Sequence, residues 1–237
     1  MTWLWLTCSS ALLAANVLAG TVSGTVSLTD SREPTVRQRK NYSGVVIWLE
    51  PVGQAAPPPA PQTHTMLQKG KRFNPHVLAV PVGSTVEFPN ADPIFHNAFS
   101  NFAGQPFDTG LYPPGGSQKI RFQREGAVRV FCNIHAAMSG VILVLNTPWF
   151  GVTGPGGAFQ IENVPPGDYQ IRIWHERASE ATLKALERRI SVTTQPVAAP
   201  AVTISESGYL EVPHRNKFGR EYGPEPPERP GYRGGVR

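Results

Sequence analysis

One short segment concentrates the reactive side chains of this chain. Val130-Phe131-Cys132-Asn133-Ile134-His135-Ala136-Ala137-Met138 carries a cysteine, a histidine and a methionine at Cys-x-x-His-x-x-Met spacing. A strand-like run ends where this loop starts, and another opens at Val141. Upstream, Pro93-Ile94-Phe95-His96-Asn97 offers a second histidine, again just after a strand-like run. A copper electron-transfer centre needs one thiolate and two imidazoles in a trigonal plane, with a weak axial thioether. Taken singly these residues say little, because a buried cysteine is commonly inert and a methionine commonly fills space. Their joint occurrence and order point to one mononuclear copper. A compact loop supplies three ligands, and the neighbouring strand that carries His96 supplies the fourth.

The cysteine count sharpens this reading. The other cysteine, Cys8, sits in an apolar N-terminal stretch, so its removal leaves Cys132 alone, with no intramolecular disulfide and no Cys-rich zinc site. The net charge is +5 (22 − 17). Between Pro213 and Arg237 lie Arg215, Lys217, Arg220, Arg229, Arg233 and Arg237 against Glu221, Glu225 and Glu228. The tail therefore holds much of the excess, and the near-neutral remainder argues against a nucleic-acid groove. An additional catalytic copper would need clustered histidines. The six here (His64, His76, His96, His135, His175, His214) include no His-x-His pair. A nucleophilic Cys132–His135 pair lacks a third orienting group. Trp174-His175-Glu176 lacks a second carboxylate for acid–base work. These absences favour a carrier over an enzyme.

The surrounding elements read as strands. Residues 3 to 18 are apolar or small, and Val17-Leu18-Ala19 precedes Gly20 as a signal-peptidase site requires. That stretch of about 16 residues is short for a membrane helix of about 20. Residues 1–19 are thus expected to be a cleaved export signal, with no other span in the chain. Period-two alternation and short apolar runs predict strands over Thr21–Leu28 and Val45–Leu49, then over Val77–Val82, Thr85–Phe88, Gln118–Phe122, Ala127–Phe131 and Val141–Leu145. Prolines at 51, 57, 58, 59 and 61 predict an extended linker over 51–65. Past Asn146, alternation at Phe159 and Ile161 and again at Tyr169, Ile171 and Ile173 flanks Val164-Pro165-Pro166-Gly167. A short helix capped by Ser179 and extending to Arg188 follows, then strands near Ile190–Val192 and Val202–Ile204. Residues 205–237 are rich in Arg, Glu, Gly and Pro and are expected to be a disordered basic tail. The fold class expected is all-β with two sandwiches: residues 20–50 and 66–146 in a copper domain, 147–204 in a second module.

At these residues the chain resembles a known family. Gly83-Ser84-Thr85-Val86-Glu87-Phe88, then His96-Asn97, then the Cys132/His135/Met138 loop are similar to the cupredoxins, with amicyanin-like loop spacing. Phe73-Asn74-Pro75-His76-Val77-Leu78 and Pro148-Trp149-Phe150-Gly151 resemble exported bacterial proteins of the plastocyanin-like, methylamine-utilisation type. Gly157-x-Phe159-x-Ile161-x-x-Val164-Pro165-Pro166-Gly167-x-Tyr169 resembles the signature of carboxypeptidase-regulatory-like modules. The resemblance implies a cupredoxin Greek-key sandwich or barrel followed by a small transthyretin-like sandwich. It implies a type 1 (blue) copper bound by the imidazoles of His96 and His135 and the thiolate of Cys132, with Met138 axial and Asn97 steadying the sulfur. It also implies a periplasmic location and one-electron exchange with a transient redox partner. The electron would enter at the His135 edge, among Ala136, Ala137 and Pro113-Pro114. Two other readings stay open. One is a copper carrier. The other is a binding module that docks protein or carbohydrate, with Trp149, Phe150 and Trp174 as the aromatic candidates.

Overall fold

The computed structural model describes residues 19–101, 104–210 and 213–223, and these form two β-sandwiches. The export signal expected over 1–19 lies, except for Ala19, outside the described residues. No helix among those described is long and apolar enough to cross a membrane.

The sandwich that holds the four expected ligands, and would thus be the metal-bearing one, packs two sheets. In one, Thr85–Pro89 is central between Thr63–Thr65 and Ser117–Arg121. The other runs in the order Val77–Pro81, Ser139–Leu145, Gly126–Phe131, Phe99–Ser100, Phe107–Asp108. Between them lies a core of Val86, Phe88, Phe122, Val128, Val130, Ile142 and Val144. The second sandwich pairs Gly20–Thr29 with Ala158–Val164, Val197–Ala198 and Val202–Ser205. Its other sheet runs Phe150–Val152, Val46–Pro51, Gly167–Trp174, Arg188–Val192. Val22, Val26, Leu28, Val45, Ile47, Leu49, Phe159, Ile161, Tyr169 and Ile171 fill the space between.

This pairing corrects the assignment of residues 20–50. Both N-terminal strands belong to the second sandwich, so the metal-bearing one is inserted into it between Val46–Pro51 and Phe150–Val152, which are hydrogen-bonded neighbours. Alternation in Thr21–Leu28 marks a buried face but not what covers it. The apolar runs at Val46–Leu49 and Val141–Leu145 have a related cause. Val45, Ile47 and Leu49 face one core, whereas Val46 joins Val77, Ala79, Leu143 and Leu145 in a third layer between the sandwiches. Strands buried on both faces lose their alternation.

Three smaller differences concern boundaries. The linker expected over 51–65 ends early, because Thr63–Thr65, just past the last proline, pairs in parallel with Thr85–Pro89. A helix over Pro34–Arg39, which buries Val36, has no counterpart in the sequence reading. The Ser179-capped helix is present, with the cap oxygen accepting from Thr182 N at 3.1 Å, but it spans Glu180–Ala185, because Arg188–Val192 pairs with Gly167–Trp174 instead. The described part of the supposed disordered tail is ordered against the metal-bearing sandwich. His214 stacks on Phe131 with ring centroids 4.0 Å apart, and Tyr222 donates to the Cys132 carbonyl at 2.8 Å. Hydrogen bonds and one aromatic stack hold it, interactions that low apolar content does not reveal.

Candidate metal centre

Each candidate ligand sits where a strand gives way to a loop. Cys132 follows the strand Gly126–Phe131, and the loop turns back so that Met138 N donates to His135 O at 3.1 Å and Cys132 N to Met138 O at 3.1 Å. His96 is held from the other side by a two-way backbone bridge to Tyr112, at 3.2 and 2.9 Å. The loop before it is pinned by Asn90, whose amide donates to Ile94 O at 2.8 Å and whose oxygen accepts from Asp92 N at 3.0 Å.

Three of the four expected ligands converge. His96 Nδ1 lies 3.8 Å and His135 Nδ1 3.5 Å from Cys132 Sγ, and all three ligand atoms lie within 4.8 Å of one another. Metal–nitrogen and metal–sulfur bonds of about 2.0 and 2.3 Å, opened to about 120°, put N and S about 3.7 Å apart. Both sulfur–nitrogen spacings therefore suit a metal ion shared between Cys132 and each imidazole. Met138 is fully buried in the same apolar core as Cys132. One soft sulfur with two imidazoles suits copper.

The outer contacts fix which ring atoms are available. His96 is fully buried, and its Nε2 lies 2.8 Å from an Asp92 oxygen. The same carboxylate accepts from Gly70 N at 2.6 Å and Lys71 N at 2.9 Å. Burial works against its charge, but the N–H groups of Lys71 and Gly70 and the His96 ring outweigh it and hold Asp92 below the usual carboxylate range. An ionised Asp92 only accepts, so Nε2 carries the ring hydrogen and Nδ1 is left as a lone pair toward Cys132. Burial pushes the Cys132 thiol up, opposed by N–H groups of Asn97, Ile134 and His135. A cation at the site would reverse that balance in favour of thiolate. Tyr112 stays a neutral phenol, pushed up to about 12 chiefly by burial, with its hydroxyl donating to Phe88 O at 2.7 Å.

Asn97, expected to steady the Cys132 sulfur, instead uses its side chain to join two backbone segments. Its Oδ1 accepts from Asn133 N at 2.7 Å, which ties the residue after His96 to the residue after Cys132, and its Nδ2 donates to Asp108 at 3.1 Å. Sequence reasoning missed Asp92, four residues before His96. The Asn-Ala-Asp-Pro turn containing it was the available signal.

His135 is 9% exposed, whereas the other three ligands are fully buried. Around it the expected Ala136, Ala137, Pro113 and Pro114 are exposed. Larger apolar groups join them: Phe95 at 52%, Leu111 at 53% and Ile134 at 40%. Each is the chain neighbour of His96, Tyr112 or His135, so folding those three rings inward turns these side chains outward.

The remaining candidates are absorbed by packing. His175 is buried against Glu206 at 2.8 Å, and His76 lies 2.9 Å from Glu176. Trp149 is buried edge-on to Tyr169, and Phe150 and Trp174 pack on the layer between the sandwiches, so the three form no exposed stacking platform.

No family model matches the sequence, and no curated protein matches it. Solved structures do. A copper-containing nitrite reductase from Thermus scotoductus is 30% identical with a TM-score of 0.34, over 51% of this chain and 28% of its own. Amicyanin from Paracoccus versutus is 19% identical with a TM-score of 0.33, over 35% of this chain and 81% of its own. A purple cupredoxin from Nitrosopumilus maritimus is 23% identical with a TM-score of 0.32, over 35% of this chain and 99% of its own. The chain spans less than a third of the nitrite reductase's own length.

Proposed function

We propose that this chain carries single electrons through one copper ion that His96, Cys132, His135 and Met138 would hold. The observation that carries the reading is the convergence of the two imidazole nitrogens on the thiol sulfur, which lies in the apolar core. Copper would supply the one-electron couple at that spot. The protein's part is to hold the donors at nearly fixed positions in both oxidation states. Asp92 locks the His96 ring, and backbone N–H groups brace the Cys132 sulfur. The core keeps water from the sulfur, and His135 alone brings a ligand edge to the surface. The patch of Phe95, Leu111, Ile134 and the loop alanines suits a brief, small-area encounter with another redox protein. Export to the periplasm and a carboxypeptidase-regulatory-like second sandwich belong to the same proposal, supported by the sequence features that suggested them.

The test is copper loading of the purified chain, followed by metal analysis with visible and electron-spin spectra. One copper per chain with an intense thiolate-to-metal band is expected, and Cys132→Ser should abolish the band. A wild-type protein that stays colourless and silent under oxidising conditions refutes the proposal. A colourless Cys132→Ser variant that still delivers copper to an acceptor would favour a delivery role.

A further inference from the structure

The segment 213–223 reaches back across the molecule and meets the Cys132–Met138 loop at three points. The Tyr222 hydroxyl donates to the Cys132 carbonyl at 2.8 Å. His214 Nε2 lies 2.7 Å from the Ala136 carbonyl oxygen. The Lys217 backbone N–H donates to Asn133 Oδ1 at 3.0 Å. The His214 ring is stacked on Phe131 at 4.0 Å, with Tyr222 edge-on to it at 5.1 Å. Burial holds the Tyr222 phenol in its neutral, donating form.

Lys217 also closes a ring of contacts. Its Nζ lies 2.6 Å from Asp108 Oδ2, and Asp108 Oδ1 accepts from Asn97 Nδ2. Asn97 Oδ1 accepts from Asn133 N, and Asn133 Oδ1 accepts from Lys217 N. The circuit thus passes through the residue after His96 and the residue after Cys132. An exposed ion pair alone contributes little. Here it is one link of a closed circuit. The hydrogen bonds of His214, Lys217 N and Tyr222 to the sandwich land on the loop holding three of the four candidate ligands, with the His214 ring on the residue just before it.

We infer that the segment 213–223 is a working part of the metal centre, clipping the ligand loop into its metal-ready shape from outside, with Tyr222 and Lys217 as positioning residues. This rests on the copper reading above. A loop closed by its own backbone alone samples alternative conformers, and each must be excluded again when metal binds. A clip that removes them in advance tightens binding and narrows the ligand geometry. Partners that orient metal ligands typically change affinity about 10- to 100-fold when removed.

The test uses the full-length, copper-loaded chain and its Tyr222→Phe, Lys217→Ala and double variants. Loss of copper(I) to a strong chelator is followed in time, and the thiolate band and reduction potential are recorded alongside. Each single variant should release copper several-fold faster, and the double variant about 10- to 100-fold faster. The band and the potential should both move. Lys217→Arg, which keeps a cation facing Asp108, should restore most of the difference. Variants that match the wild type in release rate, band and potential overturn the inference while leaving the copper proposal intact. A wild-type chain without the band instead fails the copper proposal itself.

Discussion

Asp92 gives the sharpest test of how the protein shapes its metal ligand. The carboxylate accepts three N–H groups: Gly70 on one oxygen, Lys71 and the His96 ring on the other. In Asp92→Asn one oxygen becomes an NH2, and whichever way the amide turns, that NH2 faces a backbone or ring N–H. If it faces Gly70, the N–H of that exposed residue loses its partner to water, at about 0.5–1.5 kcal/mol of folding stability. The larger effect concerns His96. With an anion at Nε2, its Nδ1 is a stronger electron-pair donor, and removal of such a partner lowers metal affinity about 10- to 100-fold. The doubly charged copper ion feels the lost anion more than the singly charged one. If a tenfold loss falls on the oxidised form alone, the reduction potential rises by about 59 mV. Redox titration, copper competition in each oxidation state, and unfolding of the metal-free variant separate the two contributions. An unchanged potential with unchanged affinity would show that Asp92 only packs the loop and would refute the argument.

Leu111→Asp and Ile134→Asp should slow electron self-exchange by about tenfold or more, because two copies must bring the same patch together and like charges then meet. The visible band should stay as in wild type; exchange at the wild-type rate would place the docking surface elsewhere. The His175–Glu206 pair predicts acid sensitivity. Burial, the largest influence on His175, holds its folded pKa below the ordinary 6.5, so the unfolded chain takes up a proton first and stability falls as pH drops below about 6.5. For Glu206, burial is outweighed by Arg177, Ser31 and His175, so its folded pKa lies below the ordinary 4.5. That contribution is present above 4.5 and is lost as pH falls through the folded value. Denaturant unfolding from neutral to acid pH should trace this decline. Glu206→Gln should remove the part below about 4.5 while the His175 part below 6.5 persists, because Glu206 acts to raise the His175 pKa. An unaltered slope in that variant would mean the pair is not responsible.

How much of this was legible in the sequence depends on the range of the interaction involved. The candidate ligand set could be proposed because three of its members fall within seven residues and copper chemistry needs those types in that order. The strands of the metal-bearing sandwich were legible because turn residues bracket short apolar runs. What strands pair with was not. Gly20–Thr29 and Val46–Pro51 look the same whichever sandwich they complete, and only partners about 100 residues or more away, such as Phe159 and Ile171, decide it. Asp92 and Lys217 were missed for another reason. Each is a common surface residue type whose role comes from where one carboxylate or one ammonium group lands after folding. The exposed patch was half seen. Ala136 and Pro113 were identifiable from the loop, but Phe95, Leu111 and Ile134 read as core until the ligands beside them claim the inward positions.

The nested arrangement has an energetic consequence that the sequence order hides. The metal-bearing sandwich leaves the second one at Pro51 and re-enters it at Phe150, and the two flanking strands are hydrogen-bonded neighbours, with Trp48 opposite Phe150. Both ends of the insert are therefore fixed side by side, and its outer sheet lies on the shared layer of Val46, Val77, Ala79, Leu143 and Leu145. Leu143 and Leu145 alternate with Ile142 and Val144 on one strand, so that strand belongs at once to the metal core and to the junction. Leu143→Ala empties a site only 4% exposed in the junction while touching no ligand. Such truncations cost about 2–5 kcal/mol. If the layer couples the two sandwiches, the wild type unfolds in one transition and the variant shifts it as a whole. Followed by the thiolate band and by intrinsic fluorescence, the two midpoints should move together. If the band's midpoint stays in place while the fluorescence midpoint drops, the sandwiches are merely tethered, and the second one does not brace the sheet that carries Cys132.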